Sequence, residues 1–253
     1  MRPRFLAAVT EDVSSLRNAR EAFRGIASRI GGHIVFERGP AVVLATGEPV
    51  RRLGPDGVLI GPIYQRGAPA DLSADDEGAA LRTAGASLMR SCWGGYVAFT
   101  LDRETDCVHL TRAPLGDLAC CWSVASGAHF IASDLALLLD AGLPSPVIDV
   151  SSLIRHLAAE DLRRSETCLS GVYELRGGDR LSICRGNAVL ATLWSPWAFA
   201  AAGGFITNPD EAAHRVRSAV VECVGARAAE FNRILLKLSG GLDSSIVAAA
   251  LRE

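Results

Sequence analysis

No run of about 18 apolar residues occurs in the 253-residue sequence, so a transmembrane helix and a membrane partner are not expected. Behind the basic start Met1-Arg2-Pro3-Arg4-Phe5, Glu11 and Asp12 interrupt any apolar stretch, which argues against a signal peptide. Charge of one sign is not in excess: 26 basic residues face 28 acidic ones, and the net charge is −2. Nothing there calls for a nucleic-acid partner. The seven cysteines (Cys92, Cys107, Cys120, Cys121, Cys168, Cys184 and Cys223) form no C-x-x-C pair, and their number is odd. Most sit in apolar strand patterns, so buried, reduced thiols in a cytoplasmic protein are expected in preference to disulfides or metal ligands. The five histidines are scattered without an H-x-x-x-H pair, so no zinc site is expected. Internal repeats and low-complexity tracts are also missing.

What is present suffices for a full core: 49% of the residues are apolar. At about 100–200 residues per domain, the length allows one large or two ordinary domains. Phe5 to Val9 reads as a first strand. Val13 to Ile30 has helical spacing (Leu16, Ala19, Phe23, Ile26, Ala27, Ile30) and stops at Gly31-Gly32. Short strands follow at 34–36, 41–45 and 58–61. A single helix is expected over Ala74 to Met89. Strands then come quickly, at 95–101, 107–111, 120–122 and 129–132, with helices over 135–141 and 150–159. A hairpin pairs 181–184 with 189–194 around Arg185-Gly186-Asn187. The pattern is α+β, with helices covering sheets. Trp194 to Gly204 reads as a linker. Asn208-Pro209 then opens a long helix with the stripe Ala212, Val216, Ala219, Val220, Cys223 and Val224.

The chemistry is concentrated near the end, in Ser239-Gly240-Gly241-Leu242-Asp243-Ser244-Ser245. The run Arg233 to Leu238 before it reads as a buried strand, and Ile246 to Arg252 after it as a helix. A glycine turn lets the backbone approach an anion and aim N–H groups at it. A helix start adds partial positive charge at the same place. Ser239, Ser244 and Ser245 add hydroxyl donors. Asp243 would repel a phosphate, so it points to a Mg²⁺ that bridges to one. The loop is not the G-x-x-x-x-G-K-[ST] type, because no lysine follows Gly241.

S-G-G-L-D-S-S resembles the pyrophosphate loop of the ATP-pyrophosphatase superfamily, and within it the asparagine synthetase, β-lactam synthetase and lasso-peptide cyclase group. That resemblance implies an ATP and Mg²⁺ site. Ser239, Gly240, Gly241, Ser244 and Ser245 would meet the pyrophosphate, Asp243 the metal, and Leu238 the nucleotide through its backbone. Upstream, residues 1–204 resemble a glutaminase-type domain, an N-terminal-nucleophile αββα sandwich. The echoes are Gly94 to Phe99, Arg112 to Gly116, Ile131 to Asp134, and Thr167 to Leu175 followed by Gly177-Gly178-Asp179. Residues 205–253 resemble the start of an α/β ATP-pyrophosphatase domain, and relatives continue well beyond that point. From this the 253 residues alone are expected to be inactive, as a fragment or as a chain that needs a completing partner.

The glutaminase resemblance breaks at its chemistry. Active members use a cysteine directly after the initiator methionine, whereas this chain begins Met1-Arg2-Pro3 and its first cysteine is Cys92. They also carry Asn-Gly ahead of Ile-Tyr as an oxyanion hole. Here the stretch is Ile60-Gly61-Pro62-Ile63-Tyr64, and isoleucine has no donor. No glutaminase catalytic residue is therefore identified, and the domain's role is taken as structural. Without released ammonia, the attacking amine must come from elsewhere, as in β-lactam synthetases and lasso-peptide cyclases. The preferred expectation is an AMP-forming carbon–nitrogen ligase of the lasso-cyclase kind, which closes a macrolactam on an adenylated carboxylate. Its substrate would be a peptide or small-molecule carboxylate, with a precursor-processing peptidase as a possible partner. An asparagine synthetase using free ammonia, a β-lactam synthetase-like ligase and a non-catalytic scaffold are the alternatives. Arg51-Arg52 reads as solvated, Cys120-Cys121 as strand packing, and Asp75-Asp76-Glu77 as a helix N-terminal charge cluster.

Overall fold

The computed structural model describes residues 3–65, 68–69, 71–159, 162, 164–200 and 205–252. Gly203-Gly204 of the expected linker lie outside the described residues.

The first half of the chain gives β1 (Arg4–Val9), α1 (Val13–Ile30), β2 (His33–Arg38), β3 (Ala41–Thr46), β4 (Val50–Arg52), β5 (Gly57–Ile60), β6 (Ile63–Gln65), β7 (Ala68–Pro69), α2 (Ala74–Arg82), α3 (Ala86–Ser91), β8 (Trp93–Gly94), β9 (Val97–Asp102) and β10 (Cys107–Arg112). The second half gives β11 (Cys121–Ala125), β12 (Ala128–Ala132), α4 (Leu135–Asp140), α5 (Val150–Ala158), β13 (Tyr173–Glu174), β14 (Asp179–Cys184), β15 (Asn187–Thr192), a 3₁₀ turn (Pro196–Phe199), α6 (Pro209–Ala228) and α7 (Leu242–Ala250). Two six-stranded sheets result, in the orders β13-β11-β12-β1-β3-β2 and β15-β14-β10-β9-β5-β4. Their pairings are antiparallel.

Strand β1 shows why the sheets stack. Phe5, Ala7 and Val9 face a core shared with Val58, Ile60, Val97, Phe99 and Leu110 of the second sheet. Leu6 and Ala8 face the other way, onto Leu16, Phe23 and Ile26 of α1 and onto Leu137 and Leu138 of α4. A strand covered on both faces reads as unbroken apolar sequence, and Phe5-Leu6-Ala7-Ala8-Val9 does. Phe5 meets Phe99 edge to face across the sheets, with ring centroids 5.7 Å apart. The far face of the second sheet is covered in turn: Leu59, Tyr96 and Ala98 pack with Ala80 of α2 and Leu88 of α3. The layers therefore run α-β-β-α.

Helix α1 starts where Asp12 accepts from the Ser15 N–H and ends at Gly31, whose φ of 67° is left-handed. Two-residue turns with positive φ close the β11–β12 hairpin (Ser126-Gly127) and the β14–β15 hairpin (Arg185-Gly186). The Asp75-Asp76-Glu77 cluster is structural. Asp76 completes a capping box with Ser73, and Glu77 accepts from the Gly54 N–H at 2.9 Å.

Four expectations need correction. The helix expected over 74–89 is two helices, because Ala84 and Gly85 take φ of 48° and 80°. A side chain at Gly85 would meet Thr111 Oγ1 at 2.5 Å, so β10 passes too close for a continuous helix. Cys107 and Cys184 are disulfide-bonded rather than free, because the β10–β14 pairing puts the first residue of one strand opposite the last of the other. The run Arg233 to Leu238 is not a strand: no described strand lies beside it, and Leu235 is 99% exposed. The stripe expected on α6 is not a buried face. Val216 is exposed, and Ala226 is the buried residue of that helix.

Candidate functional site at the start of the last helix

The loop Ser239 to Ser245 wraps the first turn of α7. Gly240 has φ of 79°, a left-handed value that a side chain would resist, and it reverses the chain toward the helix. Gly241 is the N-cap residue and has no side chain to cap with. The first N–H groups of α7 therefore receive no side-chain cap and face outward. Nothing lies within 4 Å of where a Cβ at Gly240 would stand, so the concavity is open.

The hydroxyls organise the loop from within. The Ser239 N–H donates to Ser244 Oγ at 3.3 Å, and the two hydroxyls lie 3.1 Å apart. Ser244 Oγ and Ser245 Oγ donate back to the Gly241 carbonyl at 3.2 and 2.9 Å. The Gly241 N–H points at Ser239 Oγ at 3.4 Å. Asp243 sits in the first turn of α7, exposed. The structure thus gathers Ser239, Gly240, Gly241, Asp243, Ser244 and Ser245 into one turn. Leu238 stands at its entrance with its side chain exposed.

Such a turn suits an anion. Uncapped amides, a helix start and two glycines offer donors and partial positive charge without steric obstruction. A magnesium ion fits less completely. Among the described residues no group of three or more His, Cys, Asp or Glu is placed to hold a metal. Asp243 would contribute one ligand and the phosphate oxygens the rest.

The stretch matched to the oxyanion motif supplies nothing for glutamine hydrolysis. Ile60 is fully buried in the core between the sheets. The Gly61 N–H donates to the Pro49 carbonyl at 2.9 Å, and Pro62 has no N–H. A side chain at Gly61 would meet the Gly95 carbonyl at 2.3 Å, so this backbone is held tight.

A second cluster escaped the sequence reading. Arg227, in the last turn of α6, is ion-paired with Asp117 and lies 5.9 Å from the Trp93 ring centroid. Trp93 stacks on Tyr64 at 4.4 Å, and Glu230 lines the same cavity as Tyr64. Burial, then Glu230, push the Tyr64 phenol up to about 12. A cavity of about 800 Å³ opens beside this cluster, with Pro3, Pro62, Gly95 and Leu118 on its walls. These residues lie far apart in sequence and carry no motif, so only the fold reveals them.

No protein-family model matches the sequence, and no curated protein matches it. Among solved structures the chain is similar to an allosteric regulatory enzyme of purine biosynthesis and to the glutamine phosphoribosylpyrophosphate amidotransferase of B. subtilis complexed with ADP and GMP. Both are 10% identical, with a TM-score of 0.42, over 76% of this chain and 49% of theirs. The chain thus spans about half the length of either. A likeness this distant adds nothing to the architecture, which rests on the sheets described above. Among the described residues no helix is long and apolar enough to cross a membrane.

Proposed function

We propose that the protein is an ATP-dependent, AMP-forming amide ligase of the asparagine synthetase-like group, and within it a lasso-peptide cyclase. The observation that carries this is the Ser239–Ser245 loop, gathered at an uncapped, outward-facing start of α7. Residues 1–204 are read as a degenerate N-terminal-nucleophile sandwich, and residues 205–253 as the opening of the ATP-binding domain. ATP would activate a carboxylate of a peptide by transferring AMP to it. Ser239, Gly240, Gly241, Ser244 and Ser245 would hold the departing pyrophosphate, with Asp243 beside them as the metal ligand. Mg²⁺, when bound, would neutralise charge on the phosphates. The attacking amine would belong to the same peptide, because the stretch 60–62 offers no donor for releasing ammonia from glutamine. A peptidase that frees that amine is the partner the reading implies.

The cytoplasmic location stays part of the proposal. The Cys107–Cys184 bond tests it, since a reducing compartment would keep both thiols free.

The experiment is to incubate the full-length native product with ATP, Mg²⁺ and a candidate precursor peptide, and to weigh the peptide. Loss of one water, slowed at least about tenfold in Asp243→Ala, is expected, because one charged contact is worth about 1.5–3 kcal/mol. An unchanged peptide, with asparagine formed from aspartate and ammonia, would establish the simpler synthetase instead.

A further inference from the structure

The Arg227 cluster is built more firmly than a surface ion pair needs to be. Asp117 sits in the loop 113–118, and that loop is clamped from below. Arg112, 4% exposed, donates through Nη2 to the Gly116 carbonyl at 2.6 Å and through Nε to the Leu118 carbonyl at 2.8 Å. Its third nitrogen reaches Glu174 at 2.8 Å and also the Leu175 carbonyl. One buried guanidinium therefore holds the backbone on both sides of Asp117, which a lysine's point charge could not do. Gly95 completes the seat. A side chain there would stand 2.8 Å from Asp117 Cβ, so the loop packs onto bare backbone. Beside Asp117, the Tyr64–Trp93 stack gives Arg227 an aromatic face, and Tyr64 is only 2% exposed. Arg227, in the last turn of α6, is thus met by three preset groups of the sandwich, with Glu230 just beyond the helix on the same cavity.

We propose that Asp117, Tyr64 and Trp93 form a socket that seats the C-terminal turn of α6 through Arg227, and that this seat positions the nucleotide loop. The positioning part rests on the ligase reading; the socket itself does not. The link runs through the helices, because α6 packs against α7, whose first turn carries the loop. The segment between them, Phe231 to Leu238, lacks strand pairing and cannot transmit a position by itself. The socket shares its cavity with Pro62, beside the stretch that lacks glutaminase donors. A domain without hydrolytic chemistry would then keep its surface for docking the helix that serves the other reaction. Arg227, Asp117, Tyr64 and Trp93 are positioning residues here.

The test is hydrogen exchange by mass spectrometry on the whole chain, as wild type, Arg227→Gln, Asp117→Asn, and the swap Arg227→Asp with Asp117→Arg. Peptides from α6 and α7 are expected to exchange about fivefold faster in each single variant, as loss of local protection predicts, while β1 and β9 stay unchanged. The swap should recover part of the protection. Arg227 lies on an exposed helix, so Arg227→Gln leaves the sandwich folded and decides the matter even if Asp117→Asn disturbs its loop. Unchanged exchange over 209–250 in Arg227→Gln would overturn the socket. The same substitutions, carried in the full-length native product, are titrated with ATP and Mg²⁺. A weaker Kd in Arg227→Gln supports positioning, and faster exchange with an unchanged Kd overturns it. No ATP binding by the wild type would remove the ligase reading, and positioning with it, while the exchange result still decides the socket.

Discussion

Two apolar runs of this chain look alike on paper and end in opposite places. Phe5-Leu6-Ala7-Ala8-Val9 is buried on both faces at the centre of a sandwich. Ile234-Leu235-Leu236, with equal apolar character, is not in a strand, and Leu235 is 99% exposed. The difference is company. β1 has β3 and β12 on its edges, with α1 and the second sheet on its faces. The later run has no strand beside it among the described residues. Hydrophobicity supplies a reason to be covered, and topology supplies the cover.

That contrast can be sharpened by substitution, beginning in the core. Phe99→Ala removes the ring that meets Phe5 between the sheets and should cost about 3–5 kcal/mol in denaturant unfolding. A loss under about 1 kcal/mol would mean the two sheets do not share one core. Next comes the staple between the ends of β10 and β14, two inner strands of the second sheet. Cys107→Ser should cost about 2–4 kcal/mol under oxidising conditions and nothing further under reductant. Alkylation in denaturant before reduction should label five cysteines, and after reduction all seven. A smaller loss is expected at the cap of α1. Asp12 is held down to about 2 by Ser14 and Ser15, so its contribution is present at neutral pH and fades as pH falls from the ordinary carboxylate range toward that value. In Asp12→Ala this acid-side fading should shrink in a pH series of melting temperatures. Last, Leu235→Ala should change stability by less than about 0.5 kcal/mol, as exposed substitutions do. A loss of core size there would show that the run is covered after all.

The sequence was informative where local rules decide. α1 runs Val13–Ile30, as its spacing and Gly31 indicate, and the Ser126-Gly127 and Arg185-Gly186 turns mark their hairpins. The glycine–serine turn before α7 was legible for the same reason, since glycines and hydroxyls at a helix start form local bonds wherever the helix lies. Partnership was not legible. The break at Gly85 depends on Thr111, the disulfide on a β10–β14 register, and the missing strand on neighbours that no local pattern describes. Asp117, Arg227, Tyr64 and Trp93 are four ordinary residues until the fold brings them together.

The position of β1 has a consequence for how the chain is made. Its first neighbour, β3, follows soon after it in synthesis, but its second, β12, pairs Ala132 with Leu6 and emerges more than a hundred residues later. Through that interval a nascent chain carries an apolar strand with one edge unpaired, the state most prone to pairing with a stranger. Translation speed and chaperone supply, rather than the finished protein's stability, should therefore set how much of it folds.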